Sequence, residues 1–146
     1  MSFPAALFPA LEQLASPKTV PLSQGTVLLV EDDESLADLL KHLMLRMQVT
    51  VLHASTGEMA IQLFRENQGK ISLAFVDCHL PDSEGGELCR RLRTISPALP
   101  LLLTSGRDQR ALEAVFSAGG ACSFLAKPYM PADVMGRVRS MLVGHA

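Results

Sequence analysis

Residues 26–33 (TVLLVEDD) decide the fold, because they join a short apolar run directly to three acidic residues. The apolar part consists of β-branched and large aliphatic residues, which is typical of a strand covered on both faces. Residues 34–46 follow at once, and their leucines recur at the three- and four-residue spacing of an amphipathic helix. A buried strand that runs into a helix is the repeating unit of parallel α/β folds.

The same alternation of strand and helix continues along the chain. We predict further strands at residues 49–53, 71–76, 99–103 and 121–125, and further helices that begin at Ser55, Gly85, Gln109 and Pro131. Ser55 and Glu58 have the spacing of a capping box, and proline suits the first position of a helix. Because the strands are nearly continuous apolar runs, the predicted fold class is α/β: a doubly wound, five-stranded parallel sheet with helices on both faces.

Length and composition restrict the class of protein. The 146 residues are the size of one domain, and 48% of them are hydrophobic, which excludes a disordered chain. The formal net charge of −2 argues against a nucleic-acid-binding protein, and no apolar run reaches the roughly 20 residues of a membrane span. Three widely spaced cysteines, Cys78, Cys89 and Cys122, are expected to be reduced thiols. We therefore expect a cytoplasmic protein.

Residues 1–24 differ from the rest of the chain, since they contain four prolines. We expect a leader or linker there, with a short helix at residues 9–15 and a role in docking or dimerisation as the alternative. The main domain is predicted at residues 25–143, followed by a tail at 144–146. With so short a tail, we expect the output to be made through surface contacts of this domain, or through a longer chain from which it comes.

Polar side chains follow the predicted strands at the points where the strands end. They are Glu31, Asp32 and Asp33 after the first strand, Asp77 after the third, Thr104 and Ser105 after the fourth, and Lys127, followed by Pro128, after the fifth. Asp33, Thr104 or Ser105 could instead cap the helices that follow, and Asp77 could be a turn residue. In doubly wound folds, however, ligands bind beyond the carboxyl ends of the strands, where these side chains would meet. Clustered carboxylates favour a hard cation such as Mg²⁺, and Lys127 would balance further negative charge.

Four motifs, in their order and spacing, carry a resemblance to a known family. They are VLLVEDDES at residues 27–35, AFVDCHLPDSEG at 74–85, LLLTSG at 101–106 and FLAKP at 124–128. Asp77 lies 45 residues after Asp32 and 50 residues before Lys127. Over residues 25–143 the chain resembles the receiver domain of two-component response regulators, the CheY-like superfamily with its flavodoxin-like fold. That domain occurs in single-domain regulators and in hybrid histidine kinases.

The resemblance implies a role for each polar residue at the strand ends. Asp77 corresponds to the phosphoacceptor. The implied ligands of Mg²⁺, with Mn²⁺ as an alternative, are Glu31, Asp32, Asp77 and the backbone carbonyl of His79. The implied phosphate-binding and switch residues are Thr104, Lys127 and Phe124, with Asp33, Ser105 and Pro128 as weaker candidates. The resemblance also implies a cis bond between Lys127 and Pro128.

The implied function is Mg²⁺-dependent transfer of a phosphoryl group from phosphohistidine to Asp77, which switches a protein-interaction surface. The partner would be a histidine kinase or a histidine phosphotransfer protein, with no nucleic acid and no membrane. A monomer or a phosphorylation-dependent dimer is expected, and not an enzyme in its own right. One alternative is an interaction module that is never phosphorylated. Another is an aspartate-nucleophile phosphatase, which would need a second aspartate where the chain has His79.

Overall fold

The computed structural model describes residues 25–82, 84–105 and 121–143, and these form one parallel sheet with helices packed on it. The strands are β1 (Thr26–Val30), β2 (Thr50–Ala54), β3 (Leu73–Asp77), β4 (Leu101–Ser105) and β5 (Cys122–Ala126). The described helices are α1 (Glu34–Arg46), α2 (Gly57–Glu66), α3 (Gly85–Ile95) and α4 (Pro131–Val143). All strand pairs are parallel, in the order β2-β1-β3-β4-β5. None of these four helices is long and apolar enough to cross a membrane.

Alternate residues of β1 pack into two different cores, one on each face of the sheet. Leu28 and Val30 lie in a core with buried residues of α2 and α3. Val27 and Leu29 lie in a second core with buried residues of α1 and α4. Because successive strand residues point to opposite faces, a strand that is apolar throughout needs helices on both sides. The predicted doubly wound parallel sheet is therefore confirmed.

The strand and helix boundaries differ from the prediction in a few places. β1 has the predicted bounds, whereas β3 extends through Asp77 and β4 through Ser105, so these polar residues end their strands. The capping residue of α2 is Thr56, whose hydroxyl accepts a hydrogen bond from the Met59 N–H, and the prediction of Ser55 was wrong. The expected leader, the helix at 109–118 and the tail at 144–146 lie outside the described residues.

The three cysteines contribute to the core as unpaired thiols. Cys78 and Cys89 are buried and Cys122 is half-buried, all in the core on the α2–α3 side. Burial raises the pKa of Cys78 to about 12, with the Asp77 carboxylate adding to the effect. Burial also raises the pKa of Cys89 and of Cys122 above the ordinary value. Since the thiolate is the reactive form, these groups behave as small apolar side chains.

Candidate functional site

The polar residues of the predicted site lie together at the carboxyl edge of the sheet. Glu31 directly follows β1, Asp77 ends β3 and Lys127 directly follows β5. Asp77 and Thr104 are partners in the β3–β4 ladder, which puts their side chains on the same face of adjacent strands. The backbone thus brings residues from distant parts of the sequence into one crevice.

Three carboxylates form an acidic cluster at this edge. One oxygen each of Glu31, Asp32 and Asp77 lies within 4.8 Å of the other two. Asp32 is exposed, whereas Glu31 is 2% and Asp77 4% exposed. Carboxylate oxygens are the ligands that a hard divalent cation prefers, and their mutual repulsion in a buried site favours binding of such a cation. The donor set present therefore fits Mg²⁺ or Mn²⁺.

Glu31 has a strongly perturbed titration in this cluster. Burial raises the pKa of Glu31 to about 7, and repulsion by Asp77 adds to the shift. The Asp33 N–H, which donates to Glu31 Oε2 at 3.1 Å, and the Lys127 ammonium oppose it. Ionisation of the Glu31 carboxyl in the folded protein is therefore unfavourable unless a cation balances its charge.

Lys127 supplies the positive charge of the site. Its Nζ lies 3.1 Å from Asp77 Oδ2 and 3.8 Å from Glu31 Oε1. Its backbone N–H donates to the Ser105 carbonyl at 2.9 Å, which anchors it to the end of β4. The bond between Lys127 and Pro128 is cis, as the resemblance implied. The ion pair with Asp77 and the backbone hydrogen bond to Ser105 hold the ammonium beside the carboxylate.

The backbone after Asp77 fixes the orientation of its carboxylate. The His79 N–H donates to Asp77 Oδ1 at 3.0 Å, and the Cys78 N–H donates to the Thr104 carbonyl at 2.9 Å. Gly85 packs so closely that a Cβ there would come within 2.5 Å of Cys78 Cα and 2.6 Å of the Asp77 carbonyl oxygen. Only glycine fits at this point of approach.

Two hydroxyl groups are buried beside the acidic cluster without a hydrogen-bond partner among the described residues. They are Thr104 Oγ1 and Tyr129 Oη. Burial raises the pKa of Tyr129, and the charges of Glu31, Asp77 and Asp33 raise it further. An unpaired buried hydroxyl is unfavourable, so it marks a place where a polar ligand would be accommodated.

The weaker candidates have distinct environments. Asp33 caps α1, and its Oδ1 accepts a hydrogen bond from the Leu36 N–H at 3.1 Å. Ser105 is buried at the end of β4, and Pro128 lines a groove with Leu36. Phe124 is half-buried in β5, one register position from the partner of Thr104.

Sequence reasoning missed three residues around the site. Tyr129 directly follows Lys127 and Pro128. A hydroxyl so close to the end of a strand is the sequence feature that could have indicated it as a site residue. His53, in β2, has Nε2 at 2.8 Å from the Glu31 carbonyl oxygen. Asp82 accepts hydrogen bonds from two N–H groups of α2, at Gly57 and Glu58. No local pattern in the sequence reveals the latter two contacts, which depend on the tertiary fold.

The fold and the site together define a class: a doubly wound parallel α/β domain with an acidic, lysine-containing crevice at the carboxyl edge. Residues 27–139 match the model of the response regulator receiver domain. The chain belongs to that family.

Known proteins similar to this chain include two bacterial transcriptional regulatory proteins. The chain is 32% identical to CreB of Escherichia coli (strain K12), over 83% of this chain and 52% of that protein. It is 31% identical to the alkaline phosphatase synthesis regulatory protein PhoP of Bacillus subtilis (strain 168), over 80% of this chain and 48% of that protein. The chain thus spans about half the length of these curated relatives.

The same fold is seen in solved structures. One is a putative response regulator from Chloroflexus aurantiacus J-10-fl, with a TM-score of 0.72 and 29% identity. The match covers 82% of this chain and 98% of that one. The prediction of a CheY-like receiver domain is therefore confirmed.

Proposed function

We propose that this domain is the phosphoacceptor of a two-component phosphorelay and that Asp77 is the residue phosphorylated. The observation that carries the proposal is the environment of the Asp77 carboxylate. It is 4% exposed, lies 3.1 Å from the Lys127 ammonium, and shares a crevice with two further carboxylates. A buried carboxylate next to a cation and a candidate metal site is suited to act as a nucleophile toward phosphorus.

The proposed reaction transfers the phosphoryl group from a histidine of the partner to Asp77. An Asp77 carboxylate oxygen attacks phosphorus in line, the bond from phosphorus to the imidazole nitrogen breaks, and the imidazole leaves with that electron pair. Asp32, Asp77 and the His79 carbonyl, with Glu31 beside them, would hold Mg²⁺. Once bound, that cation supplies neutralisation of charge on the phosphoryl oxygens.

Lys127 and Thr104 are the remaining groups that would hold the phosphoryl oxygens. Lys127 already lies against Asp77, so its ammonium needs little movement to pair with a new anionic group. The Thr104 hydroxyl has no partner in the described part of the chain, so it is available to donate to a phosphoryl oxygen. Movement of Thr104 would open space for the Phe124 ring, which transmits the change to the protein surface. Ser105 and Pro128 would only shape the edge of the crevice.

The partner's histidine would approach across α1. A groove of about 380 Å³ beside the crevice is lined by Leu36, Lys127, Pro128 and Tyr129. On the same helix Leu39 is 47% exposed, whereas Leu40 is fully buried and unavailable for docking. An apolar helix face next to the nucleophile fits a helix that presents phosphohistidine, as a histidine kinase or a phosphotransfer protein would.

The proposed phosphorylation also bears on the type of protein, its cellular compartment and its oligomeric state. It is a signalling domain whose only chemistry is its own phosphorylation and dephosphorylation. It works in the cytoplasm, where its kinase and Mg²⁺ are available. It is a monomer or a dimer that forms on phosphorylation.

Uptake of a phosphoryl group tests the proposal directly. Purified protein is incubated with acetyl phosphate or phosphoramidate and Mg²⁺, and intact-mass spectrometry measures the product. We expect one phosphoryl group per chain, none with excess EDTA and none in Asp77→Asn. Asp38→Asn is the matched control, because Asp38 is an exposed carboxylate of α1 that pairs with Lys41 at 3.7 Å, outside the site. Wild-type protein that stays unmodified with these donors would refute the proposal and favour the unphosphorylated interaction module.

A further inference from the structure

The loop between β3 and α3 has an anchor that the proposed phosphorylation chemistry does not use. Asp82 lies near the tip of this loop and is exposed. Its Oδ1 accepts a hydrogen bond from the Gly57 N–H at 2.8 Å, and its Oδ2 accepts one from the Glu58 N–H at 3.1 Å. Both donors belong to the first turn of α2, which follows a different strand. Asp82 therefore ties the loop to a helix 25 residues earlier in the chain.

The carboxylate of Asp82 suits this position for two physical reasons. The first N–H groups of a helix have no partner within the helix, and a carboxylate satisfies two of them at once. The positive end of the helix dipole also favours a negative charge there. Thr56 caps the same turn through the Met59 N–H, so the two residues satisfy different donors.

Other contacts hold the ends of the loop, and Leu80 packs against the core on the α2–α3 side. At the base, the Gly85 N–H donates to the Cys78 carbonyl at 3.0 Å, and His79 forms an isolated antiparallel bridge with Glu84. The His79 side chain is exposed, whereas its neighbours Cys78 and Leu80 pack in the core on the α2–α3 side. The Asp82 carboxylate adds a hydrogen-bonded link between the loop and the first turn of α2.

We infer that Asp82 is a positioning residue that holds the His79 carbonyl in place for the cation of the phosphorylation site. The inference rests on the proposed function. In the proposed function, His79 supplies its backbone oxygen to Mg²⁺. The position of that oxygen depends on the conformation of the loop between β3 and α3. Groups that orient metal ligands without touching the metal strongly affect metal affinity, and their removal typically weakens it about 10–100-fold. Asp82 would not touch the cation but would position the loop through its hydrogen bonds to the first turn of α2.

The test separates cation affinity from the chemistry of transfer. Asp82→Ala is compared with wild type in two titrations with Mg²⁺: the initial rate of phosphoryl uptake from phosphoramidate, and the amide chemical shifts of the crevice without any donor. We expect the half-saturating Mg²⁺ concentration to rise about tenfold in both titrations. At saturating Mg²⁺ the rate should return to within about twofold of wild type, because a misplaced ligand weakens binding more than it alters Asp77.

Two further variants separate the hydrogen bonds of Asp82 from the charge at this end of α2. Glu58→Ala removes a negative charge and the ion pair to Arg91 at 3.0 Å but keeps the backbone N–H that Asp82 uses, so it should match wild type. Asp82→Asn keeps one acceptor oxygen for the Gly57 N–H, so its half-saturation should fall between those of wild type and Asp82→Ala. Equal Mg²⁺ half-saturation in Asp82→Ala, Asp82→Asn and wild type would overturn the inference. A lower rate that saturating Mg²⁺ does not restore would also overturn it. The shift titration reports on Asp82 even if wild type accepts no phosphoryl group.

Discussion

Replacing Glu31 by glutamine should remove a dependence of stability on pH that this buried carboxyl imposes. Burial raises the pKa of Glu31 from 4.5 to about 7, so the folded protein keeps its proton to a higher pH than the unfolded chain. The stability that the proton confers is full below about pH 4.5 and is lost as the pH rises through about 7. For these two pKa values, the free energy of unfolding should fall by about 2–3 kcal/mol between about pH 5 and about pH 8.

Urea denaturation in the presence of EDTA, at these two pH values, measures the effect in both proteins. Glutamine keeps an oxygen for the Asp33 N–H but carries no titrating charge, so the variant should lack this fall. Titrating groups outside the site contribute equally to both, so the difference between the two proteins isolates Glu31 together with its coupling to Asp77 and Lys127. Saturating Mg²⁺ should oppose the fall in wild type, because the cation favours the ionised carboxylate. The same change in unfolding free energy in both proteins would refute the assignment of the shift to Glu31.

The remaining predictions concern stability and are read from chemical denaturation. Gly85→Ala should cost at least about 2 kcal/mol, since its Cβ would meet backbone of Cys78 and Asp77 that cannot move easily. Gly136→Ala, in exposed space within α4, should instead gain about 0.5–1 kcal/mol, and a loss there would contradict the placement of this helix. Tyr129→Phe should stabilise the protein by about 1 kcal/mol by removing an unpaired buried hydroxyl, whereas a loss would indicate a partner for it.

The sheet could be predicted from the sequence because its strands are apolar on both faces. β1 was predicted with the correct bounds, since acidic residues directly end its apolar run. β3 and β4 reach further than predicted, because ladder pairing of Asp77 with Thr104 continues after the apolar run has stopped. Hydropathy marks where burial of apolar side chains ends, and hydrogen bonding between strands does not depend on it.

The residues of the candidate site likewise include some that the sequence predicts and some that depend on the tertiary fold. The residues at strand ends were predictable, because parallel topology alone brings them to one edge. The choice of Thr56 over Ser55 as the cap of α2 was not, since both carry a hydroxyl and only the backbone angles select between them. The contact of Asp82 with Gly57 joins residues 25 apart through packing of two connections, which no local pattern records.

The ladder pairing of Asp77 with Thr104 has a consequence for how the domain can respond. Adjacent strands in a sheet are held about 4.8 Å apart by their hydrogen bonds, whatever the surrounding loops do. The distance between the backbones of Asp77 and Thr104 is thus set by the sheet. While this pairing holds, the two groups approach each other by rotation of the threonine side chain, a motion of a few ångströms.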